Sequence, residues 1–214
     1  MIDPGLEKRI LDMPEIQAGK DIWQNEFHAY DVYGHTLCYV EYIKRLTSDT
    51  DIIVAGYLHD IGKPIVKTPK FIDGVLEERG PGKPYHKFTG HEQAGADMVR
   101  QMDPGLFAEY GLDQQRIARL VGAHYLPMRG VKAMRKAPDW DSFESAYRDL
   151  EDELDSSGLE REEVMVMFLA DILSKGEMCP DKEELMKLRQ VIGGKEDLEE
   201  IYKLQKHMYG GKSD

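Results

Sequence analysis

Residues 47–64 read TSDTDIIVAGYLHDIGKP. Ser48 and Asp49 are helix-cap candidates, the stretch from Ile52 to Leu58 is an apolar helix, and Gly62 with Pro64 predicts its stop. Upstream, residues 32–46 (VYGHTLCYVEYIKRL) place Val32, Leu37, Val40, Ile43 and Leu46 at helical spacing. A short helix is expected over residues 4–13. Downstream, residues 64–88 break the helical pattern: Pro, Lys and Gly dominate, and Phe71-Ile-Asp-Gly-Val-Leu76 reads as a small hairpin with an Asp-Gly turn. Thr89-Gly-His-Glu92 has capping-box spacing, so a helix is expected from there to about Met102. Another runs from about Asp113 to Tyr125 and stops before Pro127. Residues 139–154 read as an exposed helix, residues 159–175 as the most apolar helix of the chain, and a last helix lies near 195–208, before a Gly-Gly-Lys-Ser-Asp tail that is expected to fray. Nearly every element has helical period. The fold class is therefore all-α, a helical bundle with a short hairpin or loop insertion near 64–88.

The chain has seven histidines, and four of them, His35, His59, His91 and His124, fall at the ends or inner faces of these helices, each beside an apolar stretch. A lone histidine in such a place is ordinarily a core residue with satisfied hydrogen bonds. Four of them beside acids in equally apolar surroundings are harder to explain that way. Asp60 follows the apolar run to His59, and Asp171 sits inside Met165-Val-Met-Phe-Leu-Ala170 and Ile172-Leu173. A carboxylate facing a core costs several kcal/mol unless it is paired or bound to a cation. Asp171 is mid-helix, so capping does not explain it, and an i,i+4 pair with Lys175 is the structural competitor. A divalent metal accounts for all of these residues together. Neutral imidazoles and carboxylates suit Zn, Mn, Fe, Co or Ni, with Mg also open. On a helix, adjacent His59 and Asp60 project about 100° apart, so they can share one ion, or Asp60 can bridge two.

The order His35, His59-Asp60, His91, His124, Asp171 resembles the HD-domain superfamily of metal-dependent phosphohydrolases. Tyr57-Leu-His-Asp-Ile-Gly-Lys63 and Phe168-Leu-Ala-Asp171 match its motifs. Gln24-Asn-Glu-Phe-His28, Asp31-Val-Tyr-Gly-His-Thr36 and Phe88-Thr-Gly-His-Glu92 are similar to the HD domain attached to bacterial CCA-adding tRNA nucleotidyltransferases. The resemblance covers roughly residues 20–175. It implies an HD core over that range with a helical extension over 176–208, in a single domain spanning 1–214. It implies a first metal held by His35, His59, Asp60 and Asp171, and a second held by His91 and His124 with Asp60 bridging. No nucleotidyltransferase half with paired catalytic aspartates is found, so the expectation is a free-standing HD unit without CCA addition.

The implied activity is hydrolysis of a phosphoester, as a phosphatase or phosphodiesterase on a nucleotide or nucleotide-like phosphate, a 2′,3′-cyclic phosphate among them. The resemblance implies that Asp60 is the catalytic metal bridge. Lys63 is expected to reach a phosphate oxygen, Arg129 to grip the rest of the substrate, and His28 to donate a proton to the leaving oxygen. His86 and His207 receive no role. Two rivals stay open: an HD-fold dinuclear iron oxygenase, and a non-catalytic metal-stabilised nucleotide-binding module.

Composition bounds the partners. The formal net charge is −12 over 214 residues, a poor balance for binding duplex DNA through its phosphates. A small phosphorylated substrate, foremost a nucleotide, is expected, and an RNA end is a second candidate. Charge is uneven: Lys63, Lys67, Lys70, Arg79, Lys83 and Lys87 fall within 63–90, and Arg129, Lys132, Arg135 and Lys136 within 129–136. Such blocks are either solvated surface or a positive rim that attracts an anion. The two cysteines, Cys38 and Cys179, form no CxxC pair, and no apolar run approaches the roughly 18 residues of a membrane span. A cytoplasmic protein with no membrane contact is the expectation. Oligomeric state leaves no trace in the sequence.

Overall fold

The computed structural model describes residues 2–175, 182–192 and 197–209. The fold is all-α, with two two-stranded antiparallel pairs as its extended structure among the described residues. The helices in chain order are α1 (Pro4–Leu11), α2 (Pro14–Gln17), α3 (Val32–Leu46), α4 (Thr50–Leu58), α5 (Lys63–Val66), α6 (His91–Gln101), α7 (Pro104–Glu109), α8 (Gln114–Ala123), α9 (Leu126–Lys136), α10 (Trp140–Ser156), α11 (Arg161–Ser174), α12 (Lys182–Ile192) and α13 (Leu198–Tyr209). Aspartates start many of them. Asp3, Asp31, Asp49, Asp103, Asp113 and Asp139 each accept a first-turn backbone N–H through the side chain, which satisfies donors that have no partner inside the helix.

Two apolar clusters organise the bundle. The first gathers Tyr39, Ile43, Ile53, Leu58, Ile117 and Leu120 from α3, α4 and α8, with α6 packed on α8. The second gathers Met134, Phe143, Leu150, Leu188 and Ile201 from α9, α10, α12 and α13. Helix α11 serves both: Met167 and Ala170 face the first cluster, and Phe168 and Ile172 the second. A helix buried on two sides must be apolar nearly all round. That accounts for the apolar character of 159–175, although the most apolar helix is α4, where every residue from Ile52 to Leu58 is buried.

Several sequence expectations need correction. Helix α4 ends at Leu58, so His59 is its C-cap and Asp60 lies in the turn beyond; Pro64 starts α5 rather than stopping α4. Thr89 and Glu92 form no capping box: Gly90 is the N-cap of α6, in the left-handed region at φ 79°, and no side chain caps it. Pro127 likewise lies in the first turn of α9, where its missing N–H costs nothing. The basic block 129–136 is thus helical. Helix α10 is exposed along one face, at Arg148, Asp149, Asp152 and Glu153, while Phe143, Tyr147, Leu150 and Leu154 are buried along the other. Helices α2 and α7 were not anticipated, and α12 falls within the helical extension expected over 176–208. The start of the expected last helix at 195–196, the Gly-Gly-Lys-Ser-Asp tail and Cys179 lie outside the described residues.

The 64–88 insertion carries the expected hairpin. Strands β2 (Phe71–Ile72) and β3 (Val75–Leu76) pair across Asp73 and Gly74, at φ 49° and 80°, the two left-handed residues of a tight hairpin turn. A second pair, β1 (Thr68–Pro69) with β4 (His86–Lys87), closes its base. The insertion folds back on the 22–31 loop: His86 N–H donates to Gln24 O at 3.0 Å and Lys70 Nζ to Glu26 at 2.9 Å.

Candidate metal centre

Five helices deliver side chains to one point. His35 lies one turn into α3, His59 and Asp60 follow α4, His91 opens α6, His124 is the C-cap of α8, and Asp171 lies in the last turn of α11. Three of the histidines are oriented by one local device. His59 Nδ1 meets Gly56 O at 2.8 Å, His91 Nδ1 meets Phe88 O at 2.8 Å, and His124 Nδ1 meets Val121 O at 2.6 Å. A carbonyl oxygen only accepts, so each Nδ1 carries the proton and each Nε2 presents a lone pair.

Those lone pairs face Asp60. Its Oδ2 lies 3.1 Å from His59 Nε2 and 3.9 Å from His35 Nε2; its Oδ1 lies 3.5 Å from His91 Nε2 and 3.9 Å from His124 Nε2. One carboxylate thus divides two histidine pairs. The groups His35, His59, Asp60 and Asp60, His91, His124 each bring three donor atoms within 4.8 Å of one another.

Several observations fit a cation here. His35 Nε2, His59 Nε2 and Asp60 Oδ1 are buried without a hydrogen-bond partner. The Nε2 atoms of His91 and His124 stand 3.3 Å apart, and with both Nδ1 atoms protonated no proton is left to lie between them. Burial pushes His91 below its ordinary value, with Lys63 adding to the effect, and pushes His124 down to about 3. Both rings are therefore neutral at neutral pH. Burial works to raise the Asp60 carboxyl, but His59 and Lys63 more than offset it and hold the group well below the usual carboxylate range.

Asp171 sits differently from expectation. Its Oδ1 lies 3.3 Å from His35 Nε2, and its Oδ2 pairs with Lys175 Nζ at 3.0 Å. It groups with His28 and His35 rather than with His35, His59 and Asp60. The competing i,i+4 pair exists, and Asp171 divides its two oxygens between the ammonium and the histidines.

The remaining expected residues surround the cluster. Lys63 is buried, and its Nζ donates to Asp60 Oδ2 at 2.6 Å and to Gln24 Oε1 at 2.6 Å. Its first job is thus to hold the carboxylate. His28 Nδ1 meets Asn25 Oδ1 at 2.7 Å, and its ring lies 5.1 Å from that of His35. Burial, with His35 and Lys63 nearby, lowers its pKa well below the ordinary value. A neutral ring with Nδ1 protonated leaves Nε2 as a hydrogen-bond acceptor, and the donating role expected of His28 needs a second proton on the ring, which its burial disfavours. Arg129 is half exposed, paired with Glu153 and 4.0 Å from Glu92. His86 pins the insertion through Trp23 O at 2.9 Å, and His207 is exposed on α13.

A pocket of about 560 Å³ opens over the cluster. Both basic blocks reach it. Arg129, Lys132 and Arg135 line it from one face of α9 at three-residue spacing, and Lys70 and Lys87 line it from the insertion. Sequence reasoning gave Gln24 and Lys132 no role of their own beyond a motif and a basic block, and it missed Tyr39. Tyr39 stacks on His59 with ring centroids 4.0 Å apart and bonds Met167 O at 2.9 Å; its only signal was an aromatic one turn beyond His35.

Residues 32–176 match the family model of the HD domain. The chain belongs to the HD domain family. This places it in a superfamily of metal-dependent phosphohydrolases, and the buried His and Asp groups fit the divalent metals that HD domains bind. The chain is similar to the A-adding tRNA nucleotidyltransferase of Deinococcus radiodurans, with 31% identity over 129 residues. That match covers 58% of this chain and 27% of the relative, so the HD-domain chain spans about a quarter of that enzyme's length. No solved structure matches the chain. No helix among the described residues is long and apolar enough to cross a membrane.

Proposed function

We propose that this HD-domain chain hydrolyses a phosphoester of a nucleotide or nucleotide-like compound, at a centre of one or two divalent ions. The observation that carries the reading is Asp60, whose two oxygens face two pairs of imidazoles. In this reading His35, His59, Asp60 and Asp171 hold the first ion, and His91 and His124 share Asp60 for the second. Bound there, a divalent ion lowers the pKa of water towards neutrality and stabilises charge developing on phosphoryl oxygens. The chain's own residues do the rest.

Lys63 fixes Asp60 through Oδ2 and spends a second N–H on Gln24; an ammonium has three, so one remains for a phosphoryl oxygen. His28 lines the pocket as a neutral ring with Nε2 left to accept a hydrogen bond. Arg129 and Lys132 on α9 supply positive charge at the rim, where an anionic substrate is drawn in. Pocket volume supports the substrate class: about 560 Å³ falls within the range of small-ligand sites. The similarity to a tRNA nucleotidyltransferase adds an RNA end to the compounds worth assaying.

Asp60→Ala tests the reading directly. It should abolish metal binding and hydrolysis together across phosphomonoesters, cyclic phosphates and nucleoside triphosphates. Full hydrolysis by this variant, with no metal found by elemental analysis, would refute the proposal.

A further inference from the structure

Gln24 holds a contradiction that a substrate resolves. The residue is 2% exposed, and it lines the pocket beside Asp60 and Lys63. Its amide orientation is not free. Lys63 Nζ has only protons to offer and lies 2.6 Å from one amide atom, so that atom is the oxygen. The nitrogen then faces away from Lys63, and Nε2 is buried without an acceptor. The backbone is pinned as well, since Gln24 O accepts from His86 N–H at 3.0 Å. The side chain cannot turn to relieve its nitrogen without breaking the bond to Lys63. A buried donor left unpaired is costly, and such groups in a pocket call for a partner that arrives from outside.

That partner must be an acceptor, because an amide nitrogen has only protons to give. It must also tolerate the Lys63 ammonium next door and the cations of α9 across the pocket. A neutral carbonyl meets the first condition, and an anionic oxygen meets both. We infer that Gln24 is a substrate-binding residue whose Nε2 donates to a phosphoryl oxygen, while its Oε1 aims Lys63 at Asp60. The inference rests on the phosphohydrolase reading and adds to it one specific contact. It also explains why Gln serves here. Glu would keep the acceptor for Lys63 but lose the donor, and Met would lose both.

The test uses inorganic phosphate as the probe, with manganese-loaded protein. Phosphate affinity is measured by calorimetry and by competitive inhibition of whichever phosphoester the wild type hydrolyses. Gln24→Glu and Gln24→Met should each weaken phosphate binding by about tenfold, the size of one lost hydrogen bond to a charged group. Gln24→Glu, which keeps the acceptor for Lys63, should hold its manganese content at the wild-type value while its KM rises more than its kcat falls; Gln24→Met, which also releases Lys63, should lower kcat as well. Unchanged phosphate affinity in both folded variants, with the wild type active, overturns the contact alone. A raised KM for a nucleotide with unchanged phosphate affinity also overturns it, since Gln24 would then touch another part of the substrate. A wild type that neither binds phosphate nor hydrolyses any phosphoester overturns the contact and the phosphohydrolase reading together.

Discussion

His124 enters the centre as a neutral imidazole, and its burial sets a pH dependence on the whole protein. Its pKa is pushed from 6.5 down to about 3, first by burial and then by His91 and His59. The unfolded chain therefore binds a proton between those values that the folded chain refuses, and stability rises with pH across that window. The contribution is complete above about pH 6.5 and is lost as pH falls towards 3. From this residue alone, metal-free protein should be roughly 2 kcal/mol less stable at pH 5 than at pH 7. His91 is shifted in the same direction and adds to the loss. Denaturant unfolding in chelator at a series of pH values measures it. A stability flat between pH 7 and pH 5 would show that these rings are not held neutral. The carboxyls respond lower on the scale: Asp60 and Asp171 are held well below the usual carboxylate range, so their share is present above the ordinary carboxylate pKa and is lost in stronger acid.

Between elements, the turn after α4 must come very close to α6, and Gly62 is what allows it. A Cβ built there would lie 2.2 Å from His91 O and 2.7 Å from Gly95 N. Both are backbone atoms, so no side chain can swing aside. Gly62→Ala should cost on the order of 3 kcal/mol through overpacking, and should push His91 away from Asp60, weakening metal binding beyond the loss of stability. Gly122→Ala, on α8 near His124, is the contrast: its Cβ would meet only Ala96 Cβ at 3.5 Å. That variant should gain about 0.5–1 kcal/mol from helix propensity. Thermal melts and metal calorimetry on the pair separate space from backbone preference, and equal effects in the two would defeat the argument. The same local chemistry decided how much of the fold was legible. Helix α3 stood out because its apolar residues recur at helical spacing behind Asp31, and the hairpin because Asp73-Gly74 admits two left-handed residues. Helix α9 did not, because Pro127 read as a stop. A proline is tolerated in a first turn and forbidden in an interior, and the sequence around it does not separate the two cases. Thr89 and Glu92 misled in the opposite sense, since Gly90 turns the chain before a cap can close. At the centre, the histidines and Asp60 were legible from residue type beside apolar runs. Gln24 and Tyr39 were not, because their meaning lies in contacts with Lys63 and His59, which are 39 and 20 positions away.

For the molecule as a whole, the candidate centre lies where otherwise separate segments meet. His35 comes from α3, Asp60 from the turn after α4, His91 from α6 and His124 from α8, and these elements enclose the first apolar cluster. Asp171 comes from α11, which is packed against the second cluster as well. A metal held by these residues would join α11 to the elements around the first cluster. Binding to the folded state alone adds about 2.7 kcal/mol when free metal is a hundredfold above its dissociation constant. In a chain of 214 residues that corresponds to a melting point higher by about 5–10 °C. Chelation should remove the increment, and manganese or zinc should restore it. The melt should remain a single transition in both states, because α11 is common to both cores. Asp60→Ala should melt at the same temperature with and without metal, since it loses the carboxylate whose two oxygens face both histidine pairs. His91→Ala should keep part of the increment, because His35, His59 and Asp171 retain Asp60. Equal loss in Asp60→Ala and His91→Ala would mean the two groups bind as one indivisible unit, and no loss in either would place the metal somewhere other than this cluster.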